Sequence, residues 1–284
     1  MSIKFDNVSY IYSPKTPFEY LALKDINLEI NKGSFTCIVG KTGCGKSTLI
    51  QELNGLLIPT TGKVNIDNFV VSSNKKERTK KIQPLKKHVG VVFQFSENQL
   101  FEETVEEDVM FGPLNFGYKK EEAKELAHKA LKDVGLDESY FEKSPFELSG
   151  GEKRRVSIAG ILAFNPEIIV LDEPTAGLDP NGAKEILSLF KKLQLEGKTV
   201  ILVTHDMNIV FEYASDVIVM NDGKVVKVTS PSELFLEDVE QYSLETPILV
   251  KIVRKLIQKG YEINLNNVHD MNSLINELKG AKHV

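Results

Sequence analysis

Residues Gly40-Lys41-Thr42-Gly43-Cys44-Gly45-Lys46-Ser47 fit the spacing G-x-x-x-x-G-K-[ST], between an apolar run, Phe35 to Val39, and a helical stretch that follows. The chemistry of that pattern is phosphate binding. Its glycines let backbone N–H groups curl around phosphate oxygens, and the helix N-terminus adds partial positive charge. Lys46 is placed to reach the β and γ phosphates of a nucleotide, and Ser47 to offer an oxygen to Mg²⁺. Such a loop needs a metal-orienting carboxylate at the end of a neighbouring strand. Ile168-Ile169-Val170-Leu171-Asp172-Glu173 supplies one in Asp172, with Glu173 beside it where a base for an attacking water belongs. Ser149-Gly150-Gly151-Glu152 reads as a capping box opening a helix, with bare N–H groups for an anion. The two cysteines are expected to differ. Cys44, beside a helix N-terminus, should have a lowered thiol pKa and react faster than Cys37 in the strand before it.

Alternating strands and helices position these groups. Ile3, Phe5, Val8 and Tyr10 to Tyr12, then Leu23, Ile26, Leu28 and Ile30, are spaced near a period of two and predict strands before the loop. Leu49, Ile50 and Leu53 share a helical face after it, with Leu56-Leu57 closing the element. Val89 to Phe93 predicts a buried strand ended by Gln94. From about Asn98 the texture turns helical, with Leu126, Ala127, Ala130, Leu131 and Val134 stopped by Gly135. Strands return at Ile168 to Leu171, Val200 to Val203 and Val217 to Met220, so the expected class is α/β with a mainly parallel sheet covered on both faces. Asn221-Asp222-Gly223 marks a hairpin, and Ser230-Pro231-Ser232-Glu233 a second capping box. Between Lys75 and Lys87 seven of thirteen residues are Lys or Arg, read as a solvated loop between strands.

Composition narrows the classes. The chain has 284 residues, 42% of them hydrophobic, and 35 Lys and Arg against 40 Asp and Glu give a net charge of −5. Disorder and small disulfide scaffolds are excluded, and the acidic balance argues against nucleic acid as the main partner. The longest uncharged stretch, Val156 to Pro166, has 11 residues, well short of the ~20 that span a bilayer. The first residues lack the features of a secretory signal, so a cytoplasmic location is expected.

With the phosphate loop and Asp172-Glu173 in place, Leu148-Ser149-Gly150-Gly151-Glu152 resembles the signature of ATP-binding cassette (ABC) ATPases, a family of P-loop NTPases. Further resemblances keep the family's order. Gln94 matches the Q-loop glutamine, Ala176-Gly177-Leu178-Asp179-Pro180 the D-loop, and His205 the switch histidine. Tyr12, 28 residues before Gly40, is similar to the aromatic that stacks on adenine. The resemblance implies ATP and Mg²⁺ as cofactors and a catalytic set of Glu173, Gln94 and His205. Metal contacts fall to Ser47, Gln94 and Asp172. Nucleotide contacts fall to Tyr12, to Gly40 through Ser47 and Thr48, to Ser149 through Glu152, and to Asp179. It also implies a head-to-tail dimer, in which one subunit's signature covers the nucleotide on the other's loop. Glu152 departs from the Gln usual in the signature and brings a negative charge near a nucleotide.

Tyr12 to Glu19, Val92 to Val105, and Ser149-Gly150-Gly151-Glu152-Lys153-Arg154-Arg155-Val156 resemble energy-coupling factor (ECF) transporter A subunits, most closely the second, A-prime type. Phe95-Ser96 replaces the commoner Tyr-Pro at the surface expected to face a membrane partner. The resemblance implies an ATPase on the cytoplasmic face of the membrane, powering uptake of vitamins, cobalt or nickel. Its partners would be a second ABC ATPase, a paralogue or an identical copy, with a membrane T component and a substrate-binding S component. Residues 1–228 are expected to form the ATP-binding domain, with a helical insertion at about 98–164, and 229–284 a C-terminal extension. Ile248, Leu249, Ile252, Val253, Leu256 and Ile257 form an apolar stripe there, as do Met271, Leu274, Ile275 and Leu278. Such stripes fit a tail folded back on the domain or, as the family implies, a small helical domain that pairs two A subunits. Two rival functions are weaker. Soluble ABC proteins of ribosomes or DNA carry double cassettes, coiled coils or zinc cysteines, and a non-hydrolysing module would not need Glu173 and His205.

Overall fold

In the computed structural model, residues 3–280 are described. The period-two patterns become β1 (Ile3–Tyr12) and β2 (Tyr20–Ile30), an antiparallel pair with Ile3 opposite Ile30 and Tyr12 opposite Tyr20. On its other side β1 pairs with β4 (Thr61–Ile66), and β5 (Phe69–Ser72) closes a four-stranded sheet of order β2-β1-β4-β5. The second sheet holds six strands, β3 (Phe35–Val39), β6 (Val89–Val92), β7 (Ile168–Asp172), β8 (Thr199–Val203), β9 (Asp216–Asn221) and β10 (Lys224–Thr229). Their order is β10-β9-β3-β8-β7-β6, parallel except for the β9-β10 hairpin across Asp222 and Gly223.

Every residue of β3, β7 and β8 is buried, the pattern of strands covered on both faces. Because successive side chains alternate, the second sheet feeds two cores. Ile38, Val170, Ile201 and Ile218 pack with the four-stranded sheet and with Leu49, Ile50 and Leu53 of α1 (Lys46–Leu53). Cys37, Leu171, Leu202 and Val217 pack on the opposite side with the remaining helices. Those begin with the insertion between β6 and β7, formed by α3 (Val105–Asn115), α4 (Lys120–Asp133) and α5 (Gly150–Leu162). Then α6 (Pro180–Leu195) joins β7 to β8, and α7 (Met207–Tyr213) joins β8 to β9.

Two local expectations change. The basic run is not all loop, because Ile82–His88 forms α2, anchored by buried Leu85. Lys86, Lys87 and His88 lie in its last turn, where cations offset the exposed carbonyl ends. The helix after the phosphate loop stops at Leu53 rather than at Leu56-Leu57. Gly55 takes a left-handed φ of 69°, and Leu56 is exposed.

In the C-terminal part, α8 (Pro231–Leu234) opens with the Ser230/Glu233 capping box, and α9 (Ile248–Gln258) and α10 (Met271–Gly280) follow. Part of the α9 stripe is folded back. Val250 and Val253 are buried in the same core as Phe211, Phe235 and the second sheet. The Ile248 N–H donates to Asn208 Oδ1 at 2.9 Å, and Arg254 Nη2 donates to the Phe235 carbonyl at 2.7 Å. Ile248, Ile257, Met271 and Ile275 stay exposed. Among the described residues no helix is long and apolar enough to cross a membrane.

One buried group makes stability depend on pH. Glu52, on α1, is fully buried, and neither carboxylate oxygen has a hydrogen-bond partner among the described residues. Burial lifts its pKa from an ordinary 4.5 to about 8. Between those values the folded chain holds a proton that the unfolded chain has lost, so stability falls as pH rises through that window. The slope from this one group approaches ~1.4 kcal/mol per pH unit. Glu52→Gln removes the titration, so the variant should gain on the parent steadily from pH 5 to pH 8 in urea melts. Parallel stability curves for the two proteins would show that Glu52 does not titrate in this way.

Candidate active site

Four parallel strands deliver the chemistry-bearing residues to one end of the sheet, the carboxyl edge where ligands bind in open α/β folds. The glycine-rich loop follows β3, Gln94 comes two residues after β6, Asp172 ends β7, and His205 comes two residues after β8. They line a cavity of about 510 Å³ together with Gly40, Thr42, Gly43, Gly45, Lys46, Ser47, Thr48 and Glu173. The loop is pressed against its neighbours. A Cβ on Gly40, whose φ is +143°, would stand 2.1 Å from the Met220 carbonyl oxygen, and one on Gly45, φ +101°, 2.7 Å from that of Ala22. No other residue type fits either place without moving a strand.

Lys46 Nζ donates to the carbonyls of Gly40 at 2.7 Å and Lys41 at 2.9 Å, which hold the ammonium at the loop. Ser47 Oγ donates to Asp172 Oδ2 at 2.9 Å. The buried Asp172 carboxyl is pushed above the ordinary range by desolvation, with the Ser47 hydrogen bond opposing and the Glu173 charge adding to the rise. Glu173 has a left-handed φ of 50°, and its Oε1 lies 2.8 Å from His205 Nδ1. The site therefore contains two pairs, a hydroxyl with a carboxylate and a carboxylate with an imidazole, beside one fixed ammonium. That set can bind polyphosphate and deprotonate a water.

The remaining sequence-derived residues lie elsewhere. Tyr12 does not line the cavity; its hydroxyl is 3.2 Å from Thr48 Oγ1, and its ring meets Tyr10 edge-on. Tyr20 and Ala22 line the cavity instead. Sequence reasoning missed both, although Tyr20 is the cross-strand partner of Tyr12 at the end of the hairpin. Ser149, Gly150, Gly151 and Glu152 open α5 with the expected capping box and do not line this chain's cavity. The Glu152 carboxylate is occupied locally, accepting from Ser149 N, Ser149 Oγ and Tyr140 Oη at 2.7–2.8 Å. These bonds hold its pKa below the usual range. Asp179 caps α6, accepting from the N–H groups of Asn181 and Gly182 at 2.9 Å. The expected lowering of the Cys44 thiol pKa is corrected. Its sulfur is turned under the loop, the residue is 5% exposed, and desolvation raises the thiol pKa despite Lys46 nearby. Cys37, wholly buried, is raised further.

The family model described as ABC transporter matches residues 23–176, from β2 through the turn after Glu173. The chain belongs to the ABC transporter family. The energy-coupling factor transporter ATP-binding protein EcfA2 of Spiroplasma kunkelii is 49% identical over 281 residues, covering 98% of this chain and 92% of the relative. The protein of the same name from Enterococcus faecalis is 52% identical over 264 residues, 92% and 91% of the two chains. Identity of this order over nearly the whole length places the chain among the energy-coupling factor ATP-binding proteins. Among solved structures, cbiO1 from Clostridium perfringens, part of the ABC transporter complex cbiONQ, superposes with a TM-score of 0.72. It is 39% identical and covers 89% of this chain and 98% of its own. The dimeric post-hydrolysis structure of the cassette MJ0796 bound to ADP and Pi gives 0.72 at 36% identity, covering 81% and 98%. This ABC chain thus has the expected fold, a P-loop α/β cassette with an antiparallel β part and a helical insertion.

Proposed function

We propose that this ABC ATPase is the peripheral subunit of an energy-coupling factor importer, where it drives uptake of vitamins or of cobalt or nickel ions. It would work on the cytoplasmic face of the membrane through a T component and a substrate-binding S component. The observation that carries the reading is the convergence of Lys46, the Ser47–Asp172 pair and the Glu173–His205 pair in one cavity. The loop N–H groups and Lys46 bind the phosphates of ATP. Glu173 accepts the proton of the attacking water, and His205 orients Glu173 from the side. Asp172 and Ser47 are hard oxygen donors at the phosphate end of the cavity, a set that fits Mg²⁺, which is commonly held by one or two carboxylates and substrate phosphates. Gln94 also lines the cavity and is the third side chain proposed to hold the ion. When bound, the ion offsets phosphate charge.

The signature supports a dimer, since Ser149 and its glycines open a helix that does not line this chain's own cavity and are free to cover a partner's. The MJ0796 cassette is dimeric in its ADP and Pi complex. Exposed Ile248 and Ile257 on α9 and Met271 and Ile275 on α10 put apolar side chains at the surface of the C-terminal extension, available for pairing two ATPase subunits. Detergent extraction of membranes with this chain tagged tests the whole reading. A second ABC ATPase and a multi-spanning membrane protein should co-purify, and the complex should turn over ATP. Recovery with ribosomes or DNA and without a membrane protein would overturn it.

A further inference from the structure

Arg154 heads the largest fully buried side chains among the described residues, 1% exposed, one turn into the helix that the signature opens. Its guanidinium serves two separate stretches of chain. Nη1 donates to Glu97 Oε2 at 2.7 Å, Ser96 Oγ at 3.1 Å and the Phe93 carbonyl at 3.3 Å, groups that bracket Gln94. Nη2 donates to the carbonyl of Glu173 at 2.6 Å, and Nε to that of Pro174 at 3.2 Å. Each stretch contains a non-glycine residue in the left-handed region, Phe95 at φ 58° and Glu173 at φ 50°. Such conformations persist where surrounding bonds enforce them. The carbonyl that Glu173 turns away from the cavity is the one the guanidinium takes up, while the side chain of the same residue meets His205 inside it.

We propose that Arg154 is a positioning residue for ATP hydrolysis, its one guanidinium fixing the Gln94 loop and the Glu173 turn relative to each other and tying both to the signature helix. Its planar fork suits this task, since five N–H donors diverge from one rigid group. Glu97, on the Gln94 side, supplies the counter-charge that lets the cation stay buried. A movement of the signature helix is thereby delivered to the carboxylate that meets the water.

The inference rests on the ATPase reading, and the test uses the full chain in the complex that co-purifies with it. Arg154→Lys keeps the charge opposite Glu97 but gathers its donors at one point, so it cannot serve both stretches. Its kcat should fall roughly 10- to 100-fold while KM for ATP stays within about threefold, because the phosphate loop is untouched. Placed on a Glu173→Gln background, the same substitution should change the residual rate by less than about twofold, since residues acting as a unit are non-additive. Arg154→Gln, which reaches only one stretch, is expected to behave alike and replaces the Lys variant where that one does not assemble. An equal loss in both backgrounds, or a wild-type kcat in Arg154→Lys, refutes the positioning role alone. A parent complex without ATP turnover removes both this role and the proposed function.

Discussion

Lys46→Ala should abolish measurable nucleotide binding while leaving the fold intact. The ammonium is held over the loop by two of the loop's own carbonyls, Gly40 and Lys41, so its charge is already where phosphate oxygens would lie. Hydrogen bonds to a charged group are worth ~1.5 to 3 kcal/mol each, and a phosphate chain would take more than one from this side chain. Loss of two such bonds corresponds to a decrease in affinity of at least ~100-fold. Lys46 starts α1 but is not itself a member of either core; α1 enters one of them through Leu49, Ile50 and Leu53. The melting curve should therefore stay close to that of the parent. Calorimetry with ATP reads the result, and an affinity near the parent's would mean that the loop binds phosphate without its cation.

The site was legible in the sequence wherever chemistry imposes a spacing. The loop from Gly40 to Ser47 and the apolar strand ending on Asp172-Glu173 follow from what phosphate and a metal-orienting carboxylate require, and they fall in one cavity. The parallel strands were legible because burial on both faces leaves unbroken apolar runs. β4 and β5 were not, since Thr61-Gly62-Lys63-Val64-Asn65-Ile66 carries only two buried side chains and Phe69–Ser72 is four residues long. The lysines of α2 hid a helix that one buried leucine holds. Cys44 shows two effects in competition. A helix N-terminus lowers a thiol pKa, but here the sulfur points inward and desolvation wins. Arg154 and Arg155 are adjacent and identical in type, and local pattern does not say that the first enters the interior while the second reaches the Val134 carbonyl and Glu185. That difference depends on which face of α5 meets the turn after β7.

Two neighbouring acids in an extended strand would point to opposite faces. Asp172 ends β7 toward Ser47, and the left-handed turn at Glu173 rotates the next carboxylate back into the same cavity, beside His205. The two acids thereby take different partners in one cavity. Glu173→Gln preserves size and keeps a polar atom facing His205 Nδ1, but it removes the carboxylate proposed to accept the proton of the attacking water. Hydrolysis should fall on the order of 10² to 10⁴ fold, the usual contribution of a positioned base. ATP binding should persist, because Lys46, Ser47 and the loop N–H groups are unchanged. A nucleotide that binds between subunits and is not cleaved should then hold them together. In the presence of the partner ATPase, ATP and Mg²⁺, the variant is expected to elute as a dimer that ADP does not support. A monomer under those conditions, with ATP demonstrably bound, would argue that this chain's signature does not close over a second nucleotide. Turnover at the parent rate would remove Glu173 from the role of base.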